Sequence, residues 1–142
     1  MKVRDIMTTH VVRIGSEEPV EAAARALTHY NVGMLPVCGP DGRLCGVVTD
    51  RDLVTRILSA GRSAKEVKVK DVMTGRLVTI GPDAHASSAA GIMGKEQVRR
   101  LPVVENGKLC GMVTLGDLAA TEEGNLDAAD ALMEITSNIC KK

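Results

Sequence analysis

Aromatic residues are almost missing from this chain: one Tyr, no Phe and no Trp in 142 residues. That removes the stacking platforms on which proteins hold unpaired bases. A core must then be built from Val, Leu, Ile, Met and Ala. Charge of one sign is missing too, with 18 basic and 18 acidic residues and a formal net charge of zero. Without a concentrated basic footprint, nucleic acid is not an expected partner. No apolar run approaches the ~20 residues of a membrane span. Met1-Lys2-Val3-Arg4-Asp5 leads into no signal-peptide core, so the expected location is the cytoplasm, with no membrane partner. The four cysteines, Cys38, Cys45, Cys110 and Cys140, form no C-x-x-C pair. They read as free thiols in a reducing compartment. His10 with Cys38 or Cys140 has no ligand spacing, so no metal is assigned. A disulfide of Cys38 or Cys140 stays open. There is no G-x-S-x-G and no Walker-type loop, and no catalytic set is visible. The chain is not expected to be an enzyme.

What the chain does contain is a repeat. Val3-Arg4-Asp5-Ile6-Met7-Thr8 returns as Val69-Lys70-Asp71-Val72-Met73-Thr74, an offset of 66. The same offset pairs Ala23-Ala24 with Ala89-Ala90 and Leu35-Pro36-Val37 with Leu101-Pro102-Val103. It then shortens to 65, so that Gly46, Thr49 and Asp52 match Gly111, Thr114 and Asp117. The length change falls in Gly39-Pro40-Asp41-Gly42 against Glu105-Asn106-Gly107. Both are turn sequences, and a hairpin tip tolerates a deletion.

Each copy reads strand, helix, strand, hairpin, strand, helix. Val11–Ile14 is the first strand. Val20, Ala23, Ala24 and Leu27 recur at helical spacing, as do Ala86, Ala89, Ala90 and Met93. Met34–Val37 and Leu44–Val48 are strands, with Pro36 favouring an edge or strand start. A last helix begins at Thr49, carries Leu53, Ile57 and Leu58, and stops at Gly61. The expected organisation is repeat one over 1–61, a linker over 62–68, repeat two over 69–121 and a helical tail over 122–142. In the tail, Leu126, Ala129, Leu132, Met133 and Ile135 share roughly one helical face and read as a packing surface.

The motif with chemical content is Gly46-Val47-Val48-Thr49-Asp50-Arg51-Asp52 and its echo Gly111-Met112-Val113-Thr114-Leu115-Gly116-Asp117. Thr-x-x-Asp at a strand-to-helix junction is close to a capping box. That leaves the Gly three residues earlier unexplained. The same geometry suits a ribose phosphate: helix-start N–H groups and the Thr hydroxyl for the anion, the carboxylate for a vicinal diol. Both readings stand at this point.

The Asp-h-Met-Thr opening (h for an apolar residue), the Leu-Pro-Val strand and the Gly-x-x-Thr-x-x-Asp helix start, each present twice, resemble CBS domains. The resemblance covers residues 1 to about 120 and is to stand-alone bacterial CBS pairs. It implies an α+β fold of two pseudo-twofold-related β-α-β-β-α repeats with their sheets packed together. It also implies clefts between the repeats for AMP, ADP, ATP or S-adenosylmethionine. Carried onto this sequence, Thr49 and Asp52 face ribose and phosphate in one cleft, and Thr114 and Asp117 in the other. Adenine lies against Val11-Val12 or Val78-Thr79, and against Met34-Leu35-Pro36 or Arg100-Leu101-Pro102. Arg51 is a candidate phosphate contact, offset by Asp50. Arg99-Arg100 supply two cations where the first copy has Gly33-Met34, which favours the second cleft for a charged nucleotide. The implied function is a ligand-sensing regulator, a homodimer signalling to a protein partner in trans. The alternative is an interaction scaffold with empty clefts.

Overall fold

The computed structural model describes residues 1–140 and the side chains up to Ser137. The fold is α+β. Strand β1 (Ile14–Gly15) leads to helix α1 (Val20–Tyr30), then β2 (Met34–Cys38), β3 (Leu44–Thr49) and the short helix α2 (Asp50–Leu53), which runs on as a π-helical turn over Val54–Leu58. The second copy supplies α3 (Ala86–Glu96), β4 (Arg100–Glu105), β5 (Lys108–Thr114) and α4 (Leu115–Ala119), followed by α5 (Asn125–Cys140). The two opening segments are single 3-10 turns, Val3–Asp5 and Val69–Asp71.

The chain forms two compact units, and they do not coincide with the two copies of the repeat. One comprises Val12–Leu77 with Gly107–Leu109; the other comprises Met1–Val11, Val78–Asn106 and Cys110–Lys142. They are called here the Thr49 unit and the Thr114 unit. Each takes its body from one copy of the repeat and its opening segment from the other.

In the Thr49 unit, β2 lies between β1, parallel to it, and β3, antiparallel. The expected strand Val11–Ile14 is reduced to Ile14–Gly15, because parallel pairing further back, at Val12, would need an N–H from Pro36; beyond Gly15 the chain turns into the α1 start, with the Glu18 carboxylate accepting the Gly15 N–H at 2.8 Å. Its counterpart is a single parallel bridge, Ile80 to Val103. Pro36 stands in the middle strand and still satisfies the rule that places proline at an edge. It pairs with Val47, whose own N–H and C=O go to Thr74. The missing Pro N–H therefore faces the β1 side, where pairing begins only at Val37. Leu35, Val37 and Val48 are fully buried, with Val20, Ala23 and Leu27 of α1 laid over them.

The opener Val69–Thr74 docks by Val69 N–H to Glu18 C=O and Lys70 N–H to Ser16 C=O, 2.9 and 3.0 Å. Lys68 and Lys70 both bond the Glu17 carboxylate and hold it below the usual 4.5. The Thr114 unit repeats the arrangement. Val3 N–H reaches Ala84 C=O and Arg4 N–H reaches Pro82 C=O, both 2.9 Å. The Arg4 guanidinium on Asp83 holds that carboxyl below 3.8. Its core is Val3, Ile80, Ala89, Met93, Leu101 and Val113.

The hairpin expected at Asn106-Gly107 forms, with φ of 54° and 79°, both in the left-handed region a tight two-residue turn requires. The tail is a packing helix, and of the expected face Ile135 is buried, but the rest is corrected. Ala128, Ala131 and Ile135 are buried against α3 and α4, whereas Leu126, Leu132 and Met133 are 77%, 42% and 68% exposed. The reason is steric. Gly94 of α3 lies 3.5 Å (measured from an ideal Cβ) from the Ala131 Cα, so only small side chains fit the seam. At the position of Gly91 in α3, α1 carries Arg25, which pairs with Glu21 in a solvated salt bridge. Leu58, expected on the core face of the last helix of copy one, is 76% exposed, while Ile57 is buried at 6%.

Candidate functional site

Both Thr-x-x-Asp motifs close as complete capping boxes. Asp52 N–H donates to Thr49 Oγ1 at 3.0 Å, and Thr49 N–H to Asp52 Oδ2 at 3.0 Å. In the other unit, Asp117 N–H donates to Thr114 Oγ1 at 3.1 Å, and Thr114 N–H to Asp117 Oδ2 at 2.8 Å. The unexplained glycine now has a cause. A Cβ on Gly46 would lie 2.7 Å from the Thr74 carbonyl oxygen and 2.8 Å from Met73 Sδ. One on Gly111 would lie 3.0 Å from the Thr8 carbonyl oxygen and 2.6 Å from Met7 Sδ. The opener's Met-Thr is seated on that glycine in both units. The seat is fixed by Val47–Thr74 bonds of 3.0 and 2.8 Å, and by Thr8–Met112 bonds of 2.8 and 2.9 Å.

Beyond the box the two aspartates differ. Asp52 is buried at 7%. Thr74 Oγ1 donates toward its carboxylate at 3.4 and 3.5 Å, and Arg56 Nη1 stands 3.8 Å from Oδ1. The same Arg56 nitrogen donates to the Val72 and Met73 carbonyls, at 2.7 and 3.0 Å. Arg56 and Thr74 were not singled out in the sequence. The i,i+4 spacing of Arg56 from Asp52 was the available signal. Asp117 is half-buried, and only Oδ2 is engaged among the described residues. The place of Arg56 is taken by Thr121, which donates to the Leu118 carbonyl and accepts the Gly124 N–H.

The approach to each motif differs as well. In the Thr49 unit, Asp50 N–H donates to the Gly33 carbonyl, and the Asp50 carboxylate stands 3.5 Å from where a Gly33 Cβ would be. In the Thr114 unit, Leu115 N–H donates to the Arg99 carbonyl, so an arginine replaces that glycine and leucine replaces that acid. Arg99 and Arg100 border an open concavity of about 610 Å3 with Thr114 and Gly116. Its remaining wall is α5, through Asn125, Ala128, Ala129 and Leu132. These tail residues were not among the sequence candidates. The run of Ala, Ser and Gly in α3 was their only trace, since it marks where another helix approaches closely. Of the other candidates, Leu35, Pro36, Leu101 and Pro102 are buried, Met34, Val12, Val78 and Thr79 are half-buried, and Arg51 is exposed. Arg100 and Thr114 are the ones that the concavity brings together.

Burial raises the thiols of Cys38, Cys45 and Cys110 above their usual 9.0. Cys45 and Cys110 donate Sγ–H to the Val37 and Val103 carbonyls, each at 3.3 Å. Among the described residues no group of three or more His, Cys, Asp or Glu comes together to hold a metal. The Cys140 alternative lies outside the described side chains. No helix among the described residues is long and apolar enough to cross a membrane.

The family profile described as CBS domain matches residues 3–59 and 69–123. The chain belongs to the CBS domain family. This CBS pair is 37% identical to the CBS domain-containing protein YhcV of Bacillus subtilis over 134 residues, 94% of each chain. It is 35% identical over 116 residues to hypoxic response protein 1 of Mycobacterium tuberculosis, covering 82% of this chain and 81% of that one. A crystal structure of hypoxic response protein I with two coordinated zinc ions aligns at TM-score 0.77 and 34% identity, over 84% of this chain and 97% of that one. The CBS domain pair of protein MJ0100, in complex with 5-methylthioadenosine and S-adenosyl-L-methionine, aligns at TM-score 0.74 and 25% identity, over 88% and 98%. The α5 wall of the concavity, from Asn125 onward, lies outside both family-matched segments.

Proposed function

We propose that this CBS pair is a regulatory, non-catalytic module that binds an adenosyl ligand at the Thr114–Asp117 motif and signals to a protein partner in trans. AMP, ADP, ATP and S-adenosylmethionine are the candidate effectors. The observation that carries the reading is the Asp117 carboxylate. One oxygen closes the cap, and the other has no protein partner among the described residues on this half-buried side chain, while Thr114 of the same motif borders the concavity with Arg99 and Arg100. A ribose diol fits that free oxygen, and an anion fits Arg99-Arg100. The adenosyl ligands of the MJ0100 domain pair support the ligand class. The Thr49 site is the weaker candidate, because Thr74 and Arg56 already engage Asp52. A cytoplasmic homodimer is the proposed form, and the exposed Leu126 and Met133 of α5 supply apolar surface for association.

An interaction scaffold is the competing reading, and the two complete capping boxes favour it. Thermal unfolding with each adenosyl compound at millimolar concentration separates the two. Ligand at ~100 times its dissociation constant adds about 2.7 kcal/mol. A stabilisation abolished by Asp117→Ala and kept in Asp52→Ala supports the sensor. No stabilisation by any compound makes the scaffold the function.

A further inference from the structure

The two copies of the repeat differ in one direction at a set of aligned positions. Gly33, Met34, Asp50 and Arg51 of copy one stand where copy two has Arg99, Arg100, Leu115 and Gly116. The acid and the base of copy one cancel, whereas copy two has two bases and no acid. All four copy-two residues line the concavity of about 610 Å3, and no acidic residue lines it with them. Asp117 is not part of that lining, so the space lies beside the capping motif. Neither Arg99 nor Arg100 takes part in an ion pair or a side-chain hydrogen bond among the described residues. Two guanidiniums bordering one space without a counter-charge suit an anion, and their planar forks match a carboxylate. The rest of the wall is aliphatic, through Leu115, Ala119, Ala129 and Leu132, and holds no aromatic ring. A concavity of this size, mostly apolar with a few polar groups, is the usual make-up of a small-molecule site.

We infer that the concavity is a binding site of its own for a small aliphatic carboxylate, with the carboxylate at Arg99 and Arg100 and the hydrocarbon body against the alanine and leucine wall. This rests on the lining alone and not on the adenosyl reading, with which it shares the two arginines. The wall selects the body. A group rich in hydroxyls or ring nitrogens loses water there, with Thr114 and Asn125 as the polar side chains left to replace it. A hydrocarbon gains by leaving water, by about fourfold in affinity for each fully buried methylene, ~0.8 kcal/mol. The aligned place in the Thr49 unit offers neither feature. Its Asp50 carboxylate stands 3.5 Å from where a Gly33 Cβ would be, and an acid there repels a carboxylate. One ligand per chain is therefore the expected stoichiometry.

The test is titration calorimetry of the full chain with octanoate, butanoate and octanamide. Octanoate is expected to bind once per chain. Butanoate, which lacks half the body, and octanamide, which lacks the charge, are each expected to bind about tenfold or more weakly, ~1.4 kcal/mol. Arg99→Gln and Arg100→Gln are each expected to weaken octanoate by about tenfold. Neither arginine supports another side chain among the described residues, so both variants should keep the wild-type Tm. Leu132→Ser, on the wall, is expected to weaken octanoate, whereas Leu126→Ser, exposed on the same helix but outside the lining, leaves it unchanged. Equal affinity for octanoate and octanamide, or unchanged binding in both arginine variants, overturns the anion site. Equal losses in the two serine variants overturn the assignment of the wall. No binding of octanoate overturns the inference and leaves the adenosyl reading standing.

Discussion

Replacing Gly46 with alanine tests the account of the glycine motif most directly. The new Cβ would stand 2.7 Å from the Thr74 carbonyl oxygen, a backbone atom that cannot rotate away, and 2.8 Å from Met73 Sδ, which can. Relief therefore requires the opener to lift from β3. That breaks the two Val47–Thr74 hydrogen bonds of 3.0 and 2.8 Å. Two net hydrogen bonds are worth ~1–3 kcal/mol. Forcing an extra carbon into a packed seam costs ~1–3 kcal/mol, overlapping with that loss. The reduced freedom of the unfolded chain returns about 0.4–1 kcal/mol. A net loss of roughly 2–3 kcal/mol follows. For a chain of this length that is a fall in Tm of roughly 6–12 °C. Gly111→Ala is expected to behave alike, with its Cβ 2.6 Å from Met7 Sδ and 3.0 Å from the Thr8 carbonyl oxygen. Gly91→Ala is the control of opposite sign. It lies in the interior of α3 with nothing within 4 Å of a Cβ, so alanine is expected to stabilise by about 0.5–1 kcal/mol. Urea unfolding of the three variants decides the matter. A loss under about 0.5 kcal/mol for Gly46→Ala, the range of an ordinary surface change, would sink the close-approach argument.

Without ligand, Asp52→Ala is expected to cost about 1 kcal/mol more than Asp117→Ala. Both lose a cap worth ~0.5–2 kcal/mol, but only Asp52 also takes an acceptor from Thr74 and an ion-pair partner from Arg56, which keeps its Val72 and Met73 carbonyls; equal losses in urea would contradict the asymmetry of the two motifs. The buried thiols set a pH dependence: folded-state values raised above the unfolded 9.0 leave stability intact below that pH and erode it as pH climbs through the raised values. Unfolding midpoints across that range should fall less steeply in Cys38→Ala than in the wild type, and parallel curves would refute a buried, uncharged Cys38.

The parts of the fold that repeat were legible because each local signal agreed with the next. The apolar spacing Val20, Ala23, Leu27 gave a helix, Asn106-Gly107 gave a tight turn, and Thr-x-x-Asp gave a cap, all in the places expected. What stayed hidden is which opener sits on which glycine. Val3-Arg4-Asp5-Ile6-Met7-Thr8 and Val69-Lys70-Asp71-Val72-Met73-Thr74 differ only by Arg4 for Lys70 and Ile6 for Val72, and the Met-Thr that seats on the glycine is the same in both, so the motif does not distinguish the two pairings. The inner face of α5 was hidden for another reason. Ala128 and Ala131 bury little apolar area each, and a reading weighted by hydrophobicity is drawn to Leu126, Leu132 and Met133 instead. Close approach to Gly94 selected the small residues. The concavity was legible to the extent that its lining lies in the repeat, as Thr114 and Arg100 do. Its tail wall was not, because nothing in copy one corresponds to it.

The difference between the two aspartates can be followed to one aligned position. In copy one that position is Arg56, and its guanidinium spans the Asp52 carboxylate and the Val72 and Met73 carbonyls, tying the opener to the helix start. In copy two it is Thr121, which cannot reach so far and bonds locally to Leu118 and Gly124. Those local bonds end α4 and let α5 begin at Asn125. The two differences occur together: without the arginine one Asp117 oxygen has no partner among the described residues, and beyond the Thr121 turn α5 walls the space at Thr114. Copy two carries Arg99 and Arg100 on the concavity bordered by Thr114, where glycine and methionine stand in copy one. Positive charge that stands beside the aspartate in copy one stands on the concavity with Thr114 in copy two. An arginine at position 56 strengthens the fold. Arginines at positions 99 and 100 leave the second Asp117 oxygen without a partner among the described residues, and they border the concavity together with Thr114 instead.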